Sequence, residues 1–182
     1  EQPISVSRPN FIELCNRRGY AATTVREIVL AAGVTKPVLY HYFGNKEGIY
    51  LEIMQHFLGH FEERLEVFRS RGGYASQRVL RLCDEMFSLC LEHVDSFRLV
   101  YAIYYGPPQG APQFDFDAFY SKLFDAIRQA VQEGIRAGEF RRGNPNDMTQ
   151  AILGALTVAV ESHLAHKPVF IGEVKADGQF NV

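Results

Sequence analysis

TVREIVLAAGVTKPVLYHYFGNK, residues 24–46, holds two short helical patterns separated by a glycine turn, and its reading decides the fold. Thr24 followed by Glu27 has the spacing of a capping box: the threonine hydroxyl accepts from the Glu27 amide, and the carboxylate reaches back to the Thr24 amide. A helix therefore starts there. Ile28, Ala31 and Ala32 give it an apolar side, and Gly33 supplies the left-handed conformation that ends it. Thr35 is the N-cap of a second helix of about two turns, with Pro37 in the first turn, where no intrahelical bond is lost. Val34, Leu39 and Phe43 anchor this second helix, leaving Lys36, Val38, Tyr40, His41 and Lys46 on or beside its outward side.

That outward set suits the major groove of double-stranded DNA. Arg26, in the first turn of the preceding helix, can send a planar fork to guanine O6 and N7, and Val38 can touch a thymine methyl. Lys36 suits either a base edge or a phosphate. Tyr40, His41 and Lys46, with Thr24 and Thr35 and the helix-start amides beside them, suit phosphate oxygens, which fix register without reading sequence.

GYAATTVREIVLAAGVTKPVLYHYFGNKEGIYLEI, residues 19–53, resembles the helix-turn-helix region of the tetracycline-repressor (TetR/AcrR) family of bacterial regulators, and the likeness begins at Arg17. The Gly19-Tyr20 turn, the capping box, Ala32-Gly33-Val34, the run from Leu39 to Phe43 and Asn45-Lys46-Glu47 carry it. EGIRAGEF, residues 133–140, is similar to a phrase found before the penultimate helix of that family. The resemblance implies an all-α chain with a three-helix DNA-binding domain over residues 1–46. A helical effector-binding and dimerisation domain would follow over 47–182, with DNA contacts on the positions just named. It also implies a homodimer on a pseudo-palindromic operator, acting as a repressor and released by a small hydrophobic effector.

Composition agrees with such a chain. The 182 residues are 47% hydrophobic and 22% charged, an ordinary globular balance, and 3.6-residue periodicity returns in almost every segment. The net charge of −2 confines any DNA contact to a local surface. Cys15, Cys83 and Cys90 are too widely spaced for a disulfide framework or a zinc site, which fits a reducing cytoplasm. The longest apolar run, Ala151 to Val160, is about half of a membrane span. His56 and His60 share a helix face, but spacing places no third ligand, so no metal is expected. No phosphate-cradling loop, nucleophile elbow or carboxylate pair appears, and neither an enzyme nor a cofactor is expected.

Along the remaining chain, Ser7 and Pro9 read as the start of a brief first helix, and Lys46 to about Arg69 as a long one. Residues 83–124 are rich in aromatics, most of which any helical core would absorb. Several tyrosines together, each needing a hydroxyl partner, suggest an apolar cavity with polar handles. The resemblance puts an inducer pocket there, and the expected lining is Met86, Tyr101, Tyr105, Phe119, Tyr120, Leu123 and His163. Met148 to Ala165 has two apolar sides, so Leu153, Ala155, Leu156, Ala159 and Val160 are expected at a dimer interface. After Lys167 the period stops and the tail reads as irregular. The rival reading is a helical binding protein for hydrophobic molecules whose helix-turn-helix no longer binds DNA.

Overall fold

Local stop and start signals set most element boundaries. The computed structural model describes residues 2–165, and among them every regular element is an α-helix. A head is formed by α1 (Gln2–Arg18), α2 (Val25–Ala32) and α3 (Lys36–Phe43). A body follows: α4 (Lys46–Ser70), α5 (Ala75–Glu92), α6 (Val94–Tyr104), α7 (Phe116–Ala137) and α8 (Pro145–Leu164). The irregular tail expected after Lys167, and His166 before it, lie outside the described residues.

The capping box forms as the spacing requires. The Glu27 amide donates to Thr24 Oγ1 at 3.3 Å, and the Thr24 amide donates to Glu27 Oε2 at 2.9 Å. The Thr24 amide and then the Thr24 hydroxyl, which donates to Glu27 Oε2 at 2.8 Å, hold the Glu27 carboxyl below its ordinary range. Gly33, at φ 63°, turns the chain out of α2. Of the apolar side expected on α2, Ile28 and Ala32 are buried, while Ala31 faces solvent.

The first helix departs from expectation. It begins at Gln2 and carries Pro9 inside it, so Ser7 is a buried interior residue and not the N-cap. Its polar positions are satisfied by a distant element: Arg8 pairs with Glu52 of α4, with Nε donating to Oε2 at 2.7 Å.

Two hydrophobic cores meet along α4. The upper one joins Phe11, Cys15 and Tyr20 to Ile28, Leu39 and Phe43, and takes Ile49, Tyr50, Ile53 and Met54 from α4 and Leu99 from α6. The lower one joins Phe61, Leu65 and Phe68 of α4 to the apolar stripes of α5 and α7 and to Leu153 of α8. EGIRAGEF turns out to be the clamp between α7 and α5. Glu139 accepts from the Ala75 and Ser76 amides at 3.0 and 3.1 Å, capping the start of α5. Arg78 donates to Glu133 at 2.6 Å. Gly134 is buried where any Cβ would run into the Phe140 ring, which explains a glycine inside a helix.

Candidate DNA-reading face and effector pocket

Burial of Leu39 and Phe43 fixes the roll of α3, and with it the side that faces out. Lys36, Tyr40 and His41 are exposed on α3, Val38 is half-buried, and Arg26 is exposed on α2. The Thr35 hydroxyl makes no capping bond, and Thr35 is exposed at the start of α3. Tyr42, which was not singled out from the sequence, is 44% exposed, and its ring lies edge-on to His41 at 5.1 Å. The alternation Tyr40-His41-Tyr42 between two buried anchors was the available signal.

Two of the expected phosphate-facing residues are engaged inside the head. The Lys46 ammonium lies 4.2 Å from the centre of the Tyr20 ring and donates to the carbonyls of Tyr20 and Thr23 at 3.0 and 3.1 Å. It ties the start of α4 to the turn between α1 and α2. Thr24 spends both its amide and its hydroxyl on Glu27.

The expected effector lining divides. Tyr101, Tyr105, Phe119 and Tyr120 come together in an open pocket of about 430 Å3 between α6, α7 and α8, with Tyr104 and Phe116 beside them and Gly154, Thr157 and Val158 on the far wall. Met86 and Leu123 do not reach it; both are buried in the lower core, because they fall on the stripes where α5 meets α7. His163 does not reach it either, standing edge-on to Phe87 at 6.1 Å. Tyr104, overlooked from the sequence, donates its hydroxyl to Asp117 at 2.9 Å, and that bond raises its pKa. Burial, then the charge of Glu161, raises that of Tyr101. Among the described residues no lysine or arginine lines this pocket, and Asp117 is the one charged side chain on its wall.

The outward face of α8 is also narrower than expected. Leu153 and Val160 are buried within the chain, and Leu156 packs against the lower core, because this side of α8 covers α5 and α7. Ala155 is exposed, Ala159 is half-buried, and Val158 is 54% exposed between them.

Head and pocket are joined through α6. Leu99 sits in the upper core, two residues before Tyr101 of the pocket. Asn16 donates to the Asp95 carbonyl at 2.8 Å, and the Tyr20 amide donates to Gln109 Oε1 at 2.7 Å from the loop that follows α6.

Comparison with known proteins places this architecture. Residues 12–53, from the second half of α1 through the first turns of α4, match the model of bacterial regulatory proteins of the tetR family. The chain is 30% identical over 129 residues to the HTH-type transcriptional repressor KstR2 of Rhodococcus jostii, an alignment covering 68% of this chain and 61% of that protein. The chain thus spans less than two thirds of that relative. Among solved structures, the TetR family regulator PfmR of Thermus thermophilus superposes with a TM-score of 0.70 at 22% identity, covering 85% of this chain and 84% of that one. AibR, solved with isovaleryl coenzyme A and operator DNA, superposes with a TM-score of 0.66 at 19% identity, covering 92% and 98%. Residues 12–53 thus carry the N-terminal module of the tetR family of bacterial regulatory proteins, and the head, the body and these likenesses agree with one another.

Proposed function

We propose that this chain is a ligand-responsive transcriptional repressor that binds a pseudo-palindromic operator as a homodimer and is released by a small, mostly apolar effector. The observation that carries the reading is the double membership of α6: Leu99 is packed into the head core, while Tyr101, Tyr104 and Tyr105 wall the pocket. An occupant that prefers a shifted α6 changes the placement of the head, and its differential affinity for the two placements sets how far DNA binding falls. Two reading helices must present at successive major-groove faces, about 34 Å apart, so a small rotation of each head is enough. The head comprises residues up to about 46. Arg26, Lys36 and Val38 read base edges; Tyr40, His41 and the Thr35 end of α3 hold phosphates.

The effector is neutral, aromatic or polycyclic. Tyrosine and phenylalanine walls favour ring stacking, and phenolic hydroxyls orient one or two polar groups. A coenzyme A thioester of the kind AibR holds carries several phosphate charges, and among the described residues no cation lines this pocket to receive them. The test is operator selection on the purified protein, followed by operator release titrated with a neutral aromatic set and with acyl coenzyme A thioesters. Selection of a palindromic site, and release by the first set, are the expected results. Absence of any selected site would favour a binding protein with a silent head, and release by thioesters alone would overturn the effector class.

A further inference from the structure

His56 and His60 lie one turn apart on α4, and their Nε2 atoms approach to 3.3 Å. Sequence spacing placed no third imidazole, and the fold brings His93 beside the pair. His93, at the corner between α5 and α6, stacks its ring on that of His60 with centroids 5.3 Å apart and planes 14° apart. The three imidazoles border an open pocket of about 510 Å3 between α1, α4 and that corner, a site distinct from the tyrosine pocket.

The geometry points to a binding site for a divalent late-transition metal ion of the zinc class, held by His56 and His60 and completed by His93. Two imidazole nitrogens bound at about 2.0–2.1 Å with a tetrahedral angle between them stand about 3.3 Å apart, which is the separation already present. Among the described residues no three such groups form a ready shell. Turning the His93 ring out of its stack brings a third nitrogen, and water fills the fourth position from the open side. An outer partner is also in place: Glu63 Oε2 lies 3.9 Å from His60 Nδ1. A small shift lets it accept the Nδ1 proton and leaves Nε2 free as a ligand, as a carboxylate behind a metal-bound histidine does. The nearby cations are neutralised, Arg8 by Glu52 and Arg64 by Glu92, so they oppose a bound cation little. Bound there, the ion ties α4 to the α5–α6 corner, beside the Asp95 carbonyl that holds Asn16 of the head.

The experiment uses the whole chain, stripped with a chelator and titrated with zinc chloride against a chromogenic competitor, with thermal melting in parallel. One equivalent per chain and a raised Tm are expected. His56→Gln, His60→Gln and His93→Gln should each weaken zinc binding at least about tenfold, the low end of what losing even an outer-shell partner costs. His41→Gln, on α3, should not. Binding below one equivalent, or wild-type affinity in any of the three variants, overturns the assignment. Should His60→Gln fold poorly without metal, the more exposed His56 carries the test.

Discussion

Arg26 and Tyr40 are both exposed on the reading face, yet their proposed roles predict different phenotypes. A base-edge fork carries sequence information, so Arg26→Ala should relax preference at one base position by about 1–3 kcal/mol. Tyr40→Ala should weaken all sites alike, because phosphate contacts position and do not read. Binding to a panel of single-base operator variants separates the two, and a uniform loss for Arg26→Ala would refute its role. Glu139 yields a prediction about acid stability. The Ser76 and Ala75 amides, in that order, lower its folded pKa. A depressed carboxylate contributes stability that is present above its unfolded pKa of about 4.3 and is lost as pH falls through the folded value. Glu139→Gln should therefore lower Tm at pH 7 and flatten its fall between about pH 5 and pH 3. Parallel melting curves for variant and wild type would contradict the role. All three residues sit in motifs that the sequence displayed, and the outward side of α3 was legible there, but only the folded chain shows that the motif of Glu139 is a clamp.

At the scale of elements, the α6 loop and α8 make the sharpest claims. Gln109 is the one side chain of its loop that bonds the head backbone, through the Tyr20 amide, and it follows the pocket tyrosines by a few residues. Gln109→Leu should leave operator affinity without ligand within a few-fold of wild type while blunting release by effector; unchanged release would remove it from the coupling path. On α8, Val158 and Ala155 are exposed apolar positions. Ala155→Arg should dissociate the proposed dimer, since an unpaired charge at such an interface costs several kcal/mol. Sedimentation showing an intact dimer would send the interface elsewhere. What was legible here followed range along the chain. The helices α2 and α3 could be read because a capping box and a glycine terminator act within four residues. The start of α1 could not, because Arg8 is made tolerable by Glu52 of α4, more than forty residues away. Helical period also marked which residues of α5, α7 and α8 were apolar without saying which apolar side met a neighbour. Met86, Leu123 and Leu153 were consequently placed on functional surfaces that the core had already taken.

For the whole molecule, the all-α class and the division into head and body were readable from periodicity and punctuation, whereas the joints between them were not. Lys46 is the clearest instance: a charged residue at a helix start suggests an outward contact, yet its ammonium folds back over Tyr20 onto two carbonyls. The same holds for the upper core, whose inventory runs past any boundary drawn at residue 46. Ile49, Tyr50, Ile53 and Met54 come from the opening turns of α4, and Leu99 comes from a helix that also walls the pocket. Such a head is not a cassette. A fragment ending at Lys46 would leave Phe11, Tyr20 and Phe43 without their covering side chains, and extending it through α4 would still omit Leu99. Circular dichroism of fragments 1–46 and 1–70 should accordingly show little cooperative melting beside the full chain, and a sharp transition in either would refute this. Grafting α3 onto another body would then require carrying α4 and the face of α6 with it, so that under the proposed function operator preference and ligand response are constrained to evolve through a shared set of side chains.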